Sequence, residues 1–365
     1  MRTAIVGCGQ IADAHIQEIR AIKGAELVGV CDTNKHMANQ AARRFGIQGC
    51  FTDLEDMIKQ QKPDVVHVTT PPMSHWPIAR ILLDHGIHVY LEKPLTTNGT
   101  EAEQLIALAE KQGKLVCVGH NNAFDPSYLR LQEMVRNDDL GDIVHIDSVM
   151  GYSLDGPFGT LIMQDPNHWL HSLPGGLAQN NISHPLSMIL GFIPEDDLQV
   201  EAYGFRHRKK RFGDRRDIFY DELRVLFHSG QSTASLVFSC RSRPLQLYVN
   251  VHGTKCMAFA SADSRAVKRT KGAAMPGPFA KLQWTADDLK EANRAFWLNA
   301  WRIVTARLHY FRGMNTLFRK FYAAIDGKED MPIPMAEALR TTLIMDRIIE
   351  RCRLNDDENH ERTDK

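Results

Sequence analysis

The 365-residue sequence lacks an excess of charge of either sign, because 44 Lys and Arg residues balance 44 Asp and Glu residues. A neutral chain has no global field that draws it to nucleic acid or to an anionic membrane, so we predict no nucleic-acid partner and no membrane association. The seven cysteines are scattered and form no CxxC pair, which argues against a disulfide framework and a zinc site. We therefore expect a cytoplasmic protein without a bound metal.

Long hydrophobic runs, internal repeats and low-complexity segments are also missing from the sequence. No apolar run approaches the roughly 20 residues that span a bilayer, and the first residues form an apolar strand pattern instead of a signal peptide. We therefore expect a soluble chain, and its length favours two domains.

The first 150 residues alternate β-branched runs with amphipathic stretches, a pattern typical of βαβ units around a parallel sheet. A capping signal at Thr100 and Glu103 predicts the start of one crossover helix. The predicted strands lie at 2–6, 26–31, 64–69, 87–92, 115–119 and 143–149. This region is predicted to be an α/β domain with a doubly wound parallel sheet.

Beyond residue 150 the pattern changes, because alternating runs follow one another without helices between them. These runs predict strands at 198–205, 220–228, 233–240 and 246–252. They indicate an α+β domain with an open, mainly antiparallel sheet. The predicted domains are therefore residues 1–122 and 123–333, followed by an amphipathic helix at 334–353 that packs back on the first domain and a polar tail at 354–365.

A GxGxxA motif follows the first predicted strand and opens a helical pattern. Gly7 permits a tight turn, Gly9 lets the backbone approach a pyrophosphate, and Ala12 lets the helix pack closely on the strand. This strand-turn-helix context is typical of a Rossmann dinucleotide site. Cofactor contacts are predicted for Gly7, Gly9, Gln10, Ile11 and Ala12, and a glycine turn without a ligand is the alternative.

Asp32 ends the second predicted strand, twenty residues after Ala12. A carboxylate at this position accepts hydrogen bonds from the ribose hydroxyls of an adenosine and repels a 2′-phosphate. The sequence therefore predicts NAD as the cofactor. Lys35 and His36 lie nearby, so NADP stays open as the less favoured alternative.

Lys93 follows the fourth long apolar strand pattern in the segment YLEKPL. Ligands of open α/β sheets bind outside the carboxyl ends of the strands, and Pro94 biases Lys93 away from helical dihedral angles. We therefore predict that Lys93 faces the crevice and takes part in catalysis. A surface lysine paired with Glu92 is the alternative interpretation.

Three motifs in this order resemble those of the Gfo/Idh/MocA oxidoreductases, a family named for glucose-fructose oxidoreductase and inositol dehydrogenase. They are the GxGxxA motif, a Thr-Pro loop followed by a histidine, and Glu92-Lys93-Pro94. The family has an N-terminal Rossmann domain and a C-terminal open sheet for substrate binding and subunit contacts. The resemblance implies further cofactor contacts by Thr70, Pro71, Pro72, His75, Glu92 and Lys93, and we add His120 and Asn121 after the fifth strand.

In this family a helix that begins at a glycine-rich turn carries an acid and, four residues later, a histidine. The matching segment here begins at Gly175-Gly176, which allow the backbone to approach the cofactor or substrate closely, and has Asn180 and His184 on one helix face. The usual acid is replaced by Asn180, which cannot take up a proton at neutral pH, so the role of base falls to His184. A histidine satisfied by backbone near the kink at Pro185 is the alternative interpretation.

A second departure is Trp169-Leu170, where many family members have Trp-Arg, so a substrate-orienting guanidinium is missing. Lys93, Asn180 and His184 are the predicted catalytic residues. The predicted substrate-binding residues are Lys93, Asn122, His168, Trp169, Asn180, Asn181 and His184. An aromatic ring with several amides suits a polyhydroxylated ligand, so we expect a sugar, cyclitol or nucleotide-sugar.

The resemblance implies hydride transfer between a substrate hydroxyl carbon and nicotinamide. Two alternatives stay open: an enzyme that recycles tightly bound NAD within one turnover, as in glycoside cleavage or sugar-sugar exchange, and a non-catalytic NAD-binding sensor. A homo-oligomer, a dimer or tetramer formed through the C-terminal sheet, is the expected assembly.

Two basic segments lie outside these motifs. Residues 206–211 with Arg215 and Arg216 are interpreted as a solvated hairpin loop. Residues 289–321 combine cations with an apolar stripe, for which core or subunit packing is favoured over a membrane surface. That stripe consists of Trp297, Trp301, Val304, Leu308 and Phe311.

Overall fold

The computed structural model describes residues 1–194, 197–207, 220–272, 277–305 and 312–363. Within these ranges the strands are β1 Arg2–Val6, β2 Glu26–Cys31, β3 Gly49–Phe51, β4 Val65–Val68, β5 His88–Leu91, β6 Val116–Val118, β7 Ile143–Gly151, β8 Gln199–Phe205, β9 Glu222–Ser229, β10 Ser232–Ser239, β11 Leu247–Gly253, β12 Cys256–Ser261 and β13 Ala266–Lys271. The helices are α1 Gln10–Arg20, α2 Lys35–Phe45, α3 Leu54–Gln61, α4 His75–Asp84, α5 Gly99–Gln112, α6 Pro126–Arg136, α7 Pro157–Gln164, α8 Gly176–Leu190, α9 Pro278–Val304, α10 Arg312–Ile325 and α11 Met335–Thr363.

The chain divides into two compact units. The first unit contains Met1–Asn121 and Gly313–Leu343, and the second contains Asn122–Arg312 and Ile344–Lys365. The predicted boundaries differ from this division, because they assigned residues 313–333 to the second domain. The difference arises in α10, whose Phe318 and Tyr322 are buried against His67 of β4 in the first unit.

The first unit is built around a six-stranded parallel sheet with the order β3-β2-β1-β4-β5-β6. The chain proceeds outward from β1 in one direction and then from β4 in the other, so the switch point lies between β1 and β4. Strands β4 and β5 are almost wholly buried, as expected for a sheet covered on both faces by helices. The predicted Rossmann fold is confirmed, and β3 is a short strand that the sequence analysis missed.

Helix α5 begins one residue earlier than its predicted capping signal. Its N-cap is Asn98, whose side chain accepts a hydrogen bond from the Glu101 backbone N–H at 3.0 Å. The Thr97 hydroxyl donates to the Glu101 carboxylate. The predicted Thr100–Glu103 cap is therefore wrong, because Asn is a stronger N-cap than Thr and lies two residues earlier.

The second unit is built around a seven-stranded sheet with the order β13-β12-β11-β7-β10-β9-β8. All neighbouring strands pair antiparallel except β7 and β10, which are parallel. The predicted open, mainly antiparallel sheet is confirmed. Strand 143–149 was grouped with the parallel-sheet pattern of the first 150 residues, although it lies within the predicted domain 123–333. It is the central strand of the second sheet, and β12 and β13 extend this sheet beyond the four predicted strands.

The core of the second unit lies on one face of this sheet and includes side chains of several helices, among them α6, α8 and α11. Every residue of α8 is buried, and its apolar side chains join those of β7, β9 and β11. Ile344, Met345, Ile348 and Cys352 of α11 belong to the same core. Helix α11 extends beyond the predicted helix at 334–353. Its part from residue 344 onward belongs to the second unit and not, as predicted, to the first.

Helix α9 packs beside β13 and exposes much of its apolar surface. Trp297, Trp301 and Val304 of the predicted stripe are 64%, 53% and 85% exposed, so they are not in the core of this chain. Leu308 and Phe311 lie outside the described residues, as do residues 208–219 of the predicted basic loop. Among the helices that are described, none is long and apolar enough to cross a membrane.

Candidate functional site

The glycine-rich loop connects β1 to α1 at the switch point of the first unit. Gly7 has φ +94°, and a Cβ there would lie 2.7 Å from Thr70 Cγ2. The Thr69 hydroxyl donates to the Gly7 carbonyl at 2.6 Å, which fixes this loop to the end of β4. Gly7 is therefore required both by its backbone conformation and by the close approach of the Thr70 loop.

Gly9 is the N-cap of α1 and has a different environment. A Cβ at Gly9 would meet no atom within 4 Å, and among the described residues no side chain caps the first turn of α1. The helix therefore presents its first N–H groups, including those of Gln10 and Ile11, towards open space, where an anionic phosphate group can bind. Ala12 is buried beneath them.

Asp32 follows β2 at the same edge of the sheet. Its Oδ2 accepts a hydrogen bond from the Cys8 N–H at 2.7 Å, and its Oδ1 accepts one from the Asn34 N–H at 2.8 Å. These two backbone donors fix the orientation of the carboxylate beside the glycine-rich loop. The half-buried side chain keeps part of its surface available to a ligand hydroxyl.

The Thr-Pro loop and the Glu-Lys-Pro loop are joined through His75. Its ring is fully buried, with Nδ1 3.0 Å from the Pro94 carbonyl and Nε2 3.0 Å from the Thr70 carbonyl. Burial lowers the pKa of His75, against the effect of these backbone contacts. The predicted cofactor residue His75 therefore contacts the backbone of both loops, while Pro71 is exposed and Pro72 is buried.

Glu92 has a buried carboxylate that lies beside Lys93. Its Oε1 is 2.9 Å from His15 Nε2, and its Oε2 accepts the Lys93 N–H at 3.3 Å. Burial alone would raise the pKa of Glu92, but the His15 hydrogen bond and the Lys93 charge outweigh it and hold this pKa below its usual value. Glu92 therefore stays ionised at neutral pH.

A chain of buried hydrogen bonds continues behind Glu92. His15 Nδ1 lies 3.0 Å from His67 Nδ1, and His67 Nε2 lies 2.8 Å from the Tyr322 hydroxyl. A carboxylate only accepts, so with both imidazoles neutral His15 donates to Glu92, His67 donates to His15, and Tyr322 donates to His67. Burial lowers the pKa of His67 well below its usual value, which favours this neutral arrangement.

The sequence analysis missed His15, His67 and Tyr322. Two of them carried a signal, because His15 interrupts the apolar face of α1 and His67 is the one polar residue in the buried strand VVHV. A polar residue at such a position needs a hydrogen-bonding partner. The partner Tyr322 lies 255 residues from His67 along the chain, so local patterns could not identify it.

Lys93 follows β5 directly after Glu92, at the carboxyl edge of the sheet. Burial lowers the pKa of its ammonium group, and the charge of Glu92 offsets part of that effect. The amine therefore exchanges a proton closer to neutral pH than an exposed lysine does. This combination of partial desolvation and a fixed carboxylate is typical of a functional lysine.

His120 and Asn121 follow β6 at the same edge. Burial lowers the pKa of His120 to about 4, with Lys93 adding to the decrease and Glu92 opposing it. The buried Asn121 Oδ1 has no hydrogen-bond partner among the described residues. The open space at Gly9, the fixed Asp32 carboxylate and this orphaned oxygen together fit a dinucleotide that hydrogen bonds along this edge.

In the second unit, Asn180, Asn181 and His184 lie on α8. Asn180 and His184 are 7% and 9% exposed and share one helix face, four residues apart. Asn181 Nδ2 donates to the Leu177 carbonyl of the same helix at 2.9 Å, so this side chain bonds within α8. Pro185 lacks the N–H that would bond the Asn181 carbonyl, which weakens the helix next to His184.

The glycine-rich turn before α8 has a structural reason for each of its glycines. A Cβ on Gly175 would lie 2.8 Å from Ile349 of α11, and Gly176 has φ +53°. Close packing therefore accounts for Gly175 and backbone conformation for Gly176, while the close approach of a cofactor or substrate to these glycines stays a prediction.

His168, Trp169 and Leu170 lie at the turn before α8. His168 Nδ1 accepts the Leu170 N–H at 3.3 Å, and burial, with His171 adding to it, lowers the pKa of His168. Trp169 is half-buried, and its ring centroid is 5.5 Å from that of His168. Leu170 is 1% exposed and belongs to the core, so an apolar side chain fits this position. Asn122 is half-buried at the start of this unit.

A model of the oxidoreductase family with NAD-binding Rossmann fold matches residues 1–120 of the chain. The chain is 33% identical over 144 residues to D-glucoside 3-dehydrogenase of Escherichia coli, covering 39% of this chain and 41% of that protein. It is 28% identical over 182 residues to inositol 2-dehydrogenase of Salmonella typhimurium, covering 47% and 54%. The chain thus matches about half, or less, of the length of these curated relatives.

The match to solved structures extends over both units. The WlbA dehydrogenase from Bordetella pertussis, solved in complex with NADH and UDP-GlcNAcA, superimposes with a TM-score of 0.78 at 19% identity, covering 97% of this chain and 96% of that one. At 19% sequence identity, this similarity establishes a shared fold only. The two-sheet architecture is therefore shared along nearly the whole chain.

Proposed function

We propose that this chain is an NAD-dependent dehydrogenase of the Gfo/Idh/MocA type, because the model of that oxidoreductase family with NAD-binding Rossmann fold matches residues 1–120. Its proposed substrate is a hydroxyl group of a sugar, a cyclitol or a nucleotide-sugar. When bound, NAD supplies the hydride acceptor or donor for such chemistry. The observation that carries the proposal is Lys93, partly desolvated beside the ionised Glu92 at the ligand-binding edge of the sheet.

The cofactor is held by the first unit in this proposal. The N–H groups at the start of α1 bind the pyrophosphate, Gly9 leaves room for it, and Asp32 accepts the ribose hydroxyls. A carboxylate fixed by two backbone N–H groups cannot turn away from a 2′-phosphate, so NADP binds less tightly. Thr70, Pro71 and Asn121 line the rest of this edge.

Lys93 polarises the reacting oxygen of the substrate. Its positive charge stabilises the negative charge that develops on this oxygen as the hydroxyl proton leaves for His184, before the oxygen becomes part of a neutral carbonyl. The partial desolvation strengthens this interaction, because little water screens it. Glu92, held in place by His15, keeps the lysine backbone fixed and balances its charge, and so serves as a positioning residue.

His184 accepts the hydroxyl proton in this proposal, because an imidazole is basic near neutral pH. Asn180, on the same face of α8, orients the substrate by donating and accepting hydrogen bonds. His168, Trp169 and Asn122 complete the substrate-binding residues. We further propose that the protein works in the cytoplasm as a homo-oligomer formed through its C-terminal sheet.

The proposal is tested with Lys93→Met, which keeps much of the apolar stem and deletes the charge. We expect turnover to fall at least about a hundredfold, near 3 kcal/mol of transition-state stabilisation, with NADH affinity nearly unchanged. The assay screens sugars, cyclitols and nucleotide-sugars for NAD reduction, and calorimetry measures NADH binding. Lys59→Met, which changes an exposed lysine of α3, is the matched control. Near wild-type turnover in Lys93→Met would remove Lys93 from the catalytic role.

Asn180→Asp examines the second unit separately. It restores the acid of the family at a nearly isosteric position, so we expect higher turnover or a shifted pH profile if residue 180 contacts the substrate hydroxyl. Turnover and pH profile identical to wild type would exclude Asn180 from the proton path.

A further inference from the structure

Helix α9 carries a row of large apolar side chains that point into solvent. Leu282, Leu289, Phe296 and Ile303 are 68%, 71%, 63% and 63% exposed. They are spaced seven residues apart, so they lie one above the other along a single face of the helix. We call these four residues, with the intervening Ala286, Asn293 and Ala300, the α9 seam.

Side chains of α9 outside the seam attach the helix to the sheet of its own unit through polar contacts. Trp284 Nε1 donates to the Lys271 carbonyl at 3.1 Å, and Asp288 forms an ion pair with Lys268 at 2.8 Å. Asn299 Nδ2 donates to the Ser264 carbonyl at 2.8 Å. These contacts fix the rotation of the helix, so the seam points away from the protein.

This polarity is the reverse of that of an ordinary surface helix, which buries its apolar stripe and exposes its polar face. Four large apolar side chains exposed in a row are costly in water, and contiguous exposed apolar surface marks an interaction site. The exposure cannot be relieved by turning the helix, because its polar contacts to β13 and to the turn between β12 and β13 would break. The seam therefore requires a partner from outside its own unit.

The alternation of small and large residues identifies the kind of partner. Leu282, Leu289, Phe296 and Ile303 occupy d positions of a heptad repeat, and Ala286, Asn293 and Ala300 occupy a positions. A single Asn at an a position is a known determinant of register and partner number in helix pairs. Its amide both donates and accepts, so two copies of Asn293 satisfy each other across a twofold axis.

We propose that the α9 seam is an interface between two copies of this chain, which pair around a twofold axis at Asn293.

A lipid surface fits the seam less well, because an amide in its centre would have no partner among acyl chains. The charges also favour a protein partner: four basic and three acidic side chains give α9 a net charge of +1, far from the strongly cationic polar face of membrane-surface helices. These side chains are Lys281, Lys290, Arg294 and Arg302, and Asp287, Asp288 and Glu291. This interface is additional to the proposed function and does not depend on it.

The oligomeric state of the full-length protein tests the proposal. Sedimentation velocity should show that the double variant Leu289→Glu/Phe296→Glu has half the mass of the wild-type assembly, because two carboxylates per chain would be buried at the interface. Both residues are exposed in the single chain, so circular dichroism should show an unchanged fold. The matched control is Leu354→Glu, which changes a 50% exposed leucine of α11 and should keep the wild-type mass.

Cross-linking tests the register of the pair. Asn293→Cys should form a disulfide-linked dimer under a mild oxidant, whereas Lys281→Cys, exposed outside the seam, should stay monomeric on a non-reducing gel. The natural cysteines are buried or half-buried, so they contribute little background. An unchanged mass of the double variant, or no cross-link at Cys introduced for Asn293, would overturn the proposal. Wild-type co-sedimentation with liposomes that the double variant abolishes would overturn it in favour of a lipid surface.

Discussion

The buried neutral His120 makes the stability of the protein depend on pH, and the size of this effect can be worked out. The pKa of His120 falls from 6.5 to about 4 because the side chain is 3% exposed. The unfolded chain therefore binds more protons than the folded one between these pH values. The contribution of His120 to the free energy of unfolding is fully present above pH 6.5 and is lost as the pH falls towards 4. At pH 5 this loss of free energy of unfolding is about 2 kcal/mol, and it approaches about 3 kcal/mol below pH 4.

His120→Gln removes this titrating group while keeping a polar side chain of similar length. We expect the free energy of unfolding of the wild type to fall by about 2 kcal/mol more than that of His120→Gln between pH 7 and 5. Urea denaturation followed by circular dichroism at a series of pH values measures both curves. His36→Gln, which replaces an exposed histidine of α2, is the control and should follow the wild type. Parallel curves for His120→Gln and the wild type would refute the reasoning.

Two further predictions concern the same unit. Asp32→Ser should narrow the preference for NADH over NADPH, because it removes the carboxylate that repels a 2′-phosphate, and calorimetry with both cofactors measures this preference. Equal affinity of the wild type for both cofactors would contradict the role of Asp32. Tyr322→Phe should lower the free energy of unfolding by about 1–3 kcal/mol, because it leaves the buried His67 Nε2 without its donor, and urea denaturation detects this loss. An unchanged free energy of unfolding would show that this hydrogen bond makes no net contribution to stability.

Much of the first unit could be predicted from the sequence because its signals are local. The glycine-rich loop, Asp32 and the Lys93 segment each sit within a few residues of the strand that positions them, so spacing along the chain is enough. The predicted strand 143–149 was grouped with the parallel-sheet pattern for the opposite reason, although the predicted domain 123–333 contains it. Its alternating pattern shows that it is a strand, but its neighbours β10 and β11 lie about 100 residues further along the chain.

The buried hydrogen-bond chain behind Glu92 could not be predicted from local sequence patterns either. His67 and Tyr322 meet only after the chain returns to the first unit through α10, and no local pattern predicts that return. The glycines at the start of α8 are a related case. Their sequence suggested room for a ligand, whereas the contact of Gly175 with Ile349 arises from a helix more than 170 residues away.

The first unit is discontinuous in sequence, and this affects the order in which the protein can fold during synthesis. Its second segment, residues 313–343, leaves the ribosome only after all of residues 122–312. Until then His67 and Tyr90 lack the aromatic side chains of Phe318 and Phe321 that cover them, and His67 lacks its hydroxyl partner. The nascent first unit therefore exposes an apolar surface while the second sheet is still being made. A truncated chain ending near residue 121 should keep that surface exposed and aggregate.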